Sequence, residues 1–470
     1  MTDNAERREH DLLGDIHVPA DAYWGAHTTR ARANFPITGR PIAEFPHLIA
    51  AIAWVKAAAA DANRQLGLID QDIAAAIIEA CTEIAAGHLH DQFIVDIMQG
   101  GAGTSTNMNA NEVIANRALE LLHHGKGSYE VVSPNDHVNL SQSTNDVYPT
   151  ALRVGLYRSC EALLGAMLGL QDAFTAKAEE FRNTLKVGRT QLQDAVPITL
   201  GQELQAYAVT IGEDRDRLEE ARRLLCEINL GGTAIGTGIN THPDYQHLAC
   251  RLLAGLSGVP VTPADDLVEA TQDAGALVQL SSVFKRIAVK TSKICNDLRL
   301  LSSGPQNGFN DISLPAVQPG SSIMPGKVNP VIPEVVNQIA FATIGRDITI
   351  TMAAEAGQLQ LNAFEPVIAR CLFESVTELA AGCDVLAERC VRGISANRDR
   401  LRAAVESSIG LATALAPRIG YRAATELALT ALSTGETIRH ALTAREALPG
   451  TELDQLIDDP ITLTGRRELK

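Results

Sequence analysis

One segment combines side chains that could bind and stabilise an anion. Residues 320–330 read GSSIMPGKVNP and place two serines, a lysine and an asparagine among glycines and prolines. Because proline and glycine break helices and strands, the segment is expected to be a loop. Hydroxyl and amide donors beside one fixed cation suit a carboxylate ligand, and they would also stabilise negative charge that develops on it. The segment indicates an anion site, with a surface connector as the plain alternative.

Three further segments place small polar residues next to helical patterns. GGAGTSTNMN at 100–109 leads from a glycine turn into a helix over 109–121, and PNDHVNLSQSTND at 134–146 ends just before a long helical pattern. GRTQLQDAVP at 188–197 is a polar turn between an extended stretch and the next helix. Helix capping is the ordinary explanation of such residues. The functional explanation is an anion site at a helix N-terminus.

Long amphipathic helices are the elements that must position these segments. Apolar residues recur at steps of three and four over 148–181, over 264–302, from 333 past 351, and over 366–391. That spacing puts them on one helix face. Long antiparallel helices form bundles, and helices of this length carry more apolar surface than one chain covers. We therefore expect an all-α fold whose central helical bundle associates with copies of itself.

Three domains are expected along the chain. A mostly helical N-terminal domain would span 1–142, a central helical-bundle domain 143–397, and a small helical C-terminal domain 398–470. The length of 470 residues fits this number at roughly 150 residues per domain. Strand signals are weak and short, as at 184–187.

The charge and the cysteines restrict the partners and the compartment. A net charge of −16, from 56 acidic and 40 basic residues, argues against nucleic acid or an anionic membrane as a partner. No apolar run is long enough to span a membrane, and the polar start MTDNAERREHDLLGD lacks the apolar core of a signal peptide. The eight cysteines are scattered singly, which is typical of free core thiols in a reducing compartment. We expect a cytoplasmic protein.

No metal or nucleotide motif is present in the sequence. No cluster of His, Asp or Glu has metal-ligand spacing, and neither a dinucleotide fingerprint nor a phosphate-binding loop appears. Single histidines such as His27, His137 and His242 are more often packed or solvated than catalytic, and His137 is the best candidate among them. We expect no metal and no cofactor.

Taken together, the polar segments resemble the three sequence regions of the fumarase/aspartase lyase superfamily. Residues 320–330 match its GSSxMPxKxNP signature, and the resemblance runs from Glu9 to about Tyr421. Within the superfamily, GGAGTSTNMNANEV, PNDHVNxxQSTND and GRTQLQDAVPxTLGQE are most similar to the aspartase branch. Gln191 stands where fumarases typically carry a histidine.

The resemblance implies a reaction and a set of site residues. The reaction is the reversible elimination of ammonia from L-aspartate to give fumarate, in a homotetramer whose sites are shared between chains. Ser321 would be the base that takes the Cβ proton and leaves an aci-carboxylate. The resemblance implies these substrate-binding residues: Thr104, Ser143, Thr144, Asn145, Thr190, Gln191, Ser322, Lys327 and Asn329.

Two other functions are alternatives to this one. The first is fumarate hydratase, or another amino-acid C–N lyase, on the same scaffold. Gln191 argues against the hydratase, because a glutamine cannot titrate as a general acid or base. The second is a structural homologue that has lost its site, and the presence of Thr190, Ser321 and Lys327 argues against it.

Overall fold

A computed structural model of the chain describes residues 5–445 and 449–464. Helices dominate the described residues, which confirms the all-α prediction. The helices before residue 230 are α1 (Ala26–Asn34), α2 (Pro46–Gln65), α3 (Gln71–Ala85), α4 (Thr104–Leu121), α5 (Thr144–Glu180) and α6 (Leu200–Arg223). Those that follow are α7 (Tyr245–Ser257), α8 (Leu267–Gln272), α9 (Gly275–Leu301), α10 (Val331–Glu355), α11 (Glu365–Arg389), α12 (Arg398–Ser407), α13 (Gly410–Ile419), α14 (Tyr421–Thr434), α15 (Ile438–Ala444), α16 (Gly450–Asp458) and α17 (Pro460–Thr464).

The strands of the described residues are short and form two-stranded pairs. Three pairs are antiparallel, and the pair of β5 with β6 is parallel. The strands are β1 (Glu6–Asp11), β2 (Gly14–Pro19), β3 (Leu185–Thr190), β4 (Gln193–Thr199), β5 (Glu227–Ile228), β6 (Thr262–Pro263), β7 (Ile312–Ser313) and β8 (Ser395–Ala396).

The helical patterns predicted from apolar spacing correspond to α5, α10 and α11. The single helix predicted over 264–302 was wrong, because the chain forms α8 and α9 with a break at Asp273. Asp273 has extended backbone angles, and its carboxylate accepts a hydrogen bond from Gly275 N–H at 2.7 Å. The aspartate thus satisfies the free N–H of a new helix start, which competes with continuing the old helix.

The described residues form two compact units. The first contains the residues up to Leu164, Asp216–Arg286 and Phe341–Leu379, and the second contains Gly165–Arg215, Ile287–Ala340 and the residues from Ala380 onward. The long helices α5, α6, α9, α10 and α11 each contribute a segment to both units. The three-domain division at 142/143 and 397/398 stays a prediction.

Polar contacts join the long helices inside the first unit. Asp347 on α10 is buried and accepts hydrogen bonds from Ser281 and Lys285 on α9, at 2.7 and 2.6 Å. Arg346, the preceding residue, forms a two-pronged pair with Glu378 on α11, at 2.6 and 2.7 Å. These contacts fix α9, α10 and α11 of this unit side by side.

The second unit joins its helix segments in a similar way. Phe174 of α5 packs edge-on against Tyr207 of α6, with ring centres 5.6 Å apart. The Tyr207 hydroxyl donates to Asp297 of α9 at 2.8 Å, and Asn337 of α10 donates to the Ser292 hydroxyl of α9, also at 2.8 Å. A separate apolar cluster in this unit is built from α13 to α17, with Leu411, Leu427 and Leu442 buried within it.

Among the described residues no helix is both long and apolar enough to cross a membrane. The eight cysteines are free thiols. All are buried except Cys226, which is partly exposed, so the prediction that most of them act as small core residues is confirmed.

Candidate active site

The turn before α4 uses left-handed backbone at three successive residues. Gly101, Ala102 and Gly103 have φ values of 90°, 54° and 89°. A Cβ on Gly103 would lie 2.4 Å from the ring of Tyr148, so only glycine fits there. The helix begins at Thr104, earlier than the expected start at 109, because this turn completes the reversal within three residues.

Gln99 caps the start of α4 in place of a serine or threonine. Its Oε1 accepts from the Thr106 N–H at 3.0 Å and from the Thr106 hydroxyl at 2.9 Å. The Thr104 hydroxyl donates back to Gly101 O at 2.7 Å and lies at a partly exposed position. Thr104 is therefore not needed as the cap. Its hydroxyl would bind an anion by turning from Gly101 O and donating to it, at the N-terminus of a helix, where anions bind favourably.

The start of α5 is a reciprocal cap. The Ser143 hydroxyl accepts from Asn145 N–H at 3.2 Å, and Asp146 accepts from Ser143 N–H at 2.9 Å. The other Asp146 oxygen accepts from the N–H groups of Gly231 and Thr233, both at 3.0 Å. Asp146 is fully buried, and burial raises its pKa to about 6. These bonds hold residues 143–145 rigidly against the segment 231–233.

Asn139 is a hydrogen-bond hub behind this helix start. Its Oδ1 accepts from Lys56 Nζ at 2.9 Å, from Asn107 Nδ2 at 3.2 Å and from Asn111 Nδ2 at 3.1 Å. Asn107 Nδ2 also donates to the Thr144 hydroxyl at 3.0 Å. A chain of hydrogen bonds thus connects a lysine of α2 to a predicted substrate-binding threonine.

Lys56 is unusual because it is completely buried. Burial lowers its pKa to about 7, with the nearby Asp146 carboxylate acting in the opposite direction. A cation held without water acts over a longer range than one in solvent. Sequence reasoning missed Lys56, Asn107 and Asn139, because a lysine within an alanine-rich helical pattern ordinarily lies at the surface.

In the second unit, Thr190 and Gln191 lie at the tip of the β3–β4 hairpin. Thr190 pairs with Gln193, so Gln191 and Leu192 form a two-residue turn with φ values of 55° and 62°. Both turn residues and Thr190 are exposed. The hairpin therefore exposes the Thr190 hydroxyl and the Gln191 amide at its end.

The serine loop (residues 314–330) joins β7 to α10 in the same unit. The Ser321 hydroxyl oxygen accepts from the N–H groups of Ile323 at 3.2 Å and Met324 at 3.1 Å. Two N–H groups aimed at one oxygen favour negative charge on it. Ser321 is partly exposed, and Ser322 and Lys327 are exposed.

The base of the serine loop is closed by its own backbone. Gly320 N–H donates to Lys327 O at 2.8 Å, and Asn329 Nδ2 donates to Gly320 O at the same distance. A Cβ on Gly320 would lie 2.5 Å from Lys327 O, so only glycine allows this closure. Asn329 has one amide group committed to the loop, which leaves its Oδ1 as a free acceptor among the described residues.

The predicted site residues fall into two sets. Thr104, Ser143, Thr144 and Asn145 lie in the first unit, where Asn107 reaches Thr144. The second unit holds the other predicted residues: Thr190, Gln191, Ser321, Ser322, Lys327 and Asn329. Of the histidines, His137 is engaged locally, since its Nδ1 accepts from Ser133 N–H at 2.9 Å.

Beside Thr104 the first unit has a cavity of about 850 Å³, lined also by His27, Arg30 and Asn135. Arg30 is paired with Asp11 at 2.7 and 2.9 Å. Burial lowers the pKa of His27, so this imidazole is neutral at physiological pH. Among the described residues, no group of three or more His, Cys, Asp or Glu side chains is arranged to hold a metal ion.

Known families and proteins match this sequence over nearly its whole length. A family model described as lyase matches residues 14–345, and one described as fumarase C C-terminus matches residues 411–465. Aspartate ammonia-lyase of Pseudomonas aeruginosa is 57% identical over 96% of both chains. Aspartate ammonia-lyase of Escherichia coli is 52% identical over 96% of this chain and 95% of the relative.

Solved structures agree with these relatives. A fumarate lyase:delta crystallin from Brucella melitensis, crystallised with cobalt, superposes with a TM-score of 0.95 at 53% identity, covering 98% of this chain and all of that one. A class II fumarase from Schistosoma mansoni gives a TM-score of 0.91 at 35% identity, covering 98% and 99% of the two chains. The chain therefore belongs to the lyase family that also contains these aspartate ammonia-lyases and this class II fumarase.

Proposed function

We propose that this protein is an aspartate ammonia-lyase, a carbon–nitrogen lyase that converts L-aspartate reversibly into fumarate and ammonia. The observation that carries the proposal is the Ser321 oxygen, which accepts two backbone N–H groups inside the GSSIMPGKVNP loop. Relatives of that name, 52–57% identical over 96% of this chain, support the same reaction.

Ser321 acts as the base in this proposal. A serine hydroxyl is a poor base unless its surroundings stabilise the alkoxide, and the two N–H donors do that. The alkoxide takes the Cβ proton of aspartate, and the electron pair passes into the neighbouring β-carboxylate as a doubly negative aci-carboxylate. When that pair returns to form the C=C bond, the Cα–N bond breaks and ammonia leaves.

The binding residues divide by the group that they contact. The β-carboxylate gains charge during the reaction, so its donors contribute most to the rate. For this group we assign Thr104, Ser143, Thr144 and Ser322. For the α-carboxylate we assign Thr190, Lys327 and Asn329, and for the α-amino group Thr144, Asn145 and Gln191.

The first set is backed by the buried Lys56. Lys56 is connected to Thr144 through Asn139 and Asn107. Its pKa is about 7, and a dianionic intermediate nearby would favour its protonated form, which would in turn stabilise that intermediate over the substrate.

Fumarate hydratase is the alternative on this scaffold, and the class II fumarase at 35% identity shows that the fold is compatible with it. Gln191 argues against it. The side chain sits exposed at the hairpin tip and offers an amide, which can bind an amine or a carboxylate but cannot transfer a proton.

A homotetramer with sites shared between chains completes the proposal. The site residues occur in two sets along one chain. Helix α10 also exposes large apolar side chains in its first-unit segment, with Phe341, Ile348 and Met352 each about 60% exposed or more. A second copy of the chain would cover such a surface. We place the enzyme in the cytoplasm, acting on small molecules.

The direct test is an assay of fumarate absorbance with purified protein. L-Aspartate should give fumarate and an equal amount of ammonia, whereas L-malate should give little. Turnover of malate at a rate similar to that of aspartate would replace the proposal with the hydratase.

A further inference from the structure

A buried ion-pair cluster lies directly beneath the hairpin turn that carries Thr190 and Gln191. Asp311 is only 2% exposed. Its carboxylate receives Arg189 Nη1 at 2.7 Å and Lys186 Nζ at 3.2 Å. Lys186 is itself buried and also pairs with Glu203 of α6 at 2.6 Å. Both cations belong to β3, and Arg189 immediately precedes Thr190.

The backbone of Asp311 is fixed on both sides. Its N–H donates to Leu301 O at the end of α9 at 2.8 Å, and its carbonyl accepts from Asn397 N–H at 3.1 Å. The Arg189 guanidinium stacks on the ring of Phe309, 4.2 Å from the ring centre. The carboxylate is therefore a rigid anchor, and the stacking adds direction to the Arg189 contact.

The shape of the hairpin explains why an anchor is needed. Lys186 and Arg189 are three residues apart, and in a regular strand they would point to opposite faces. Between the pairs Val187–Pro197 and Arg189–Asp194, β4 uses one residue more than β3. Such a bulge bends and twists the strand pair. Both cations then reach one carboxylate, which holds the hairpin in this twisted form.

The turn beyond the anchor is strained. Gln191 and Leu192 adopt left-handed φ values without being glycine or asparagine, a conformation that persists only when surrounding contacts enforce it. The exposed side chains of the turn supply few such contacts. The ion pairs of Arg189 and Lys186 lie next to the turn in sequence and supply contacts that can enforce it, beside the packing of β3 and β4 on α12, α13 and α17.

We propose that Asp311 is a positioning residue of this enzyme. It fixes the Thr190–Gln191 turn through Arg189 and Lys186, and so sets how closely the site discriminates between amines. This inference rests on the proposed function, since Gln191 is assigned there to the α-amino group. Asp311 touches no substrate, and its effect on the reaction passes through the hairpin.

The test compares Asp311→Asn with a matched control. In Asp311→Asn the fully buried Lys186 keeps its partner Glu203, whereas Arg189 loses its counter-charge and keeps only the asparagine oxygen as an acceptor. The control is Asp214→Asn, which weakens a fully buried carboxylate that pairs with Lys290 at 2.9 Å in the same unit, on α6 and α9. A second variant, Arg189→Lys, keeps the charge but loses the planar fork and the stacking.

The readout is the addition of amines to fumarate. The ratio of kcat/KM for hydroxylamine to kcat/KM for ammonia should change on the order of tenfold in Asp311→Asn, and in the same direction in Arg189→Lys, because the amine pocket is displaced. The KM for aspartate should rise more than kcat falls. Asp214→Asn should lower Tm and leave the ratio unchanged, because loss of stability does not alter a ratio measured on one enzyme.

A second measurement does not depend on turnover. Amide hydrogen exchange over residues 188–193 should be faster in Asp311→Asn than in the wild type, and unchanged in Asp214→Asn. If Asp311→Asn shows unchanged exchange and an unchanged amine ratio, the inference is overturned. The proposed function would still stand in that case, provided that the wild type makes fumarate from aspartate. A wild type that makes no fumarate from aspartate would overturn the proposed function, and the exchange result would then decide the role of Asp311 as a hairpin anchor by itself.

Discussion

At the scale of single residues, the oxygen atoms of Ser321 and Asn139 illustrate two ways of preparing a site for negative charge. Ser321 receives two N–H groups of its own loop. Asn139 gathers one lysine and two amide donors on one oxygen, and this fixes the Asn107 amide, which also donates to the Thr144 hydroxyl and leaves that hydroxyl's own proton free to donate. In the proposed mechanism the first arrangement would support the base, and the second would support the binding of a carboxylate.

Replacing Ser321 by alanine should abolish turnover and leave the fold intact. The side chain is partly exposed and its bonds stay within the serine loop, so little packing is lost. Removal of a general base costs on the order of 10²-fold or more in kcat. The measurements are kcat with aspartate and Tm. A near-normal kcat in the variant would show that another residue is the base. Ser313→Ala, in β7 of the same unit, is the control and should keep its activity.

Replacing Lys56 by methionine should change how stability depends on pH. The folded-state pKa of Lys56 is about 7, below the unfolded value of about 10.4, so between these pH values the unfolded chain binds more protons. Stability then rises with pH through this window, by at most about 1.4 kcal/mol per pH unit from this group. Lys56→Met should lose that rise.

The measurement is the free energy of unfolding in urea between pH 7.5 and 9.5. Lys293→Met provides the control, because the Lys293 side chain is 66% exposed and its replacement should leave the slope unchanged. Identical slopes in the wild type and Lys56→Met would show that Lys56 is not held in a dry environment.

At the scale of elements, the glycine turn before α4 and the glycines of α5 form a natural comparison. Gly103 has φ 89° and lies under the Tyr148 ring, whereas a Cβ on Gly169 of α5 would meet no atom within 4 Å. Gly103→Ala should destabilise the protein by about 1–3 kcal/mol through strain and overlap. Gly169→Ala should stabilise it by about 0.5–1 kcal/mol. Thermal unfolding of both variants tests the pair, and equal Tm values would contradict the strained turn.

The serine loop should become protected from exchange when a dicarboxylate binds. Its base is closed by the bond from Gly320 N–H to Lys327 O, while residues 322–328 are exposed. A bound, unreactive dicarboxylate such as succinate would give Ser322 and Lys327 a partner. Hydrogen exchange over residues 314–330 with and without succinate is the measurement, and strong protection in both states would indicate a preformed site.

Lys327→Ala should raise the KM for aspartate and lower kcat, because the cation both binds and orients the substrate.

Most of the long helices could be predicted from the spacing of their apolar residues, and the exceptions have local causes. The apolar steps that predict α5, α10 and α11 arise from burial of one helix face, which a sequence records directly. The break between α8 and α9 is marked by one hydrogen bond that Gly275 N–H donates to the Asp273 carboxylate, which leaves the apolar stripe unchanged. The polar segments could be located, but the Lys56–Asn139–Asn107 chain could not, because it joins residues far apart in sequence.

At the scale of the whole molecule, assembly is the main expectation. Ile348 and Met352 are 59% and 67% exposed and lie four residues apart on α10, which places them on one helix face. Replacing both by glutamate should prevent association, because buried unpaired carboxylates are strongly unfavourable. Light scattering should then show a smaller species with lost aspartate turnover.

Leu432→Glu is the matched control, since this leucine of α14 is equally exposed at 65% but lies outside the long helices. It should leave both the mass and the activity of the assembly unchanged. A fully active wild-type monomer at assay concentration would refute the shared-site arrangement.

The strained tip of the β3–β4 hairpin also has a consequence for engineering and for evolution. A two-residue turn with two positive φ values is best served by Asn-Gly, so replacing Gln191 and Leu192 with that pair should raise Tm. The same change would shorten the side chain at position 191 by one methylene and draw its amide back from the proposed amine site. Selection for heat resistance alone would therefore favour a turn that is more stable and less active, so the Gln191–Leu192 turn of this chain trades stability for the position of its amide.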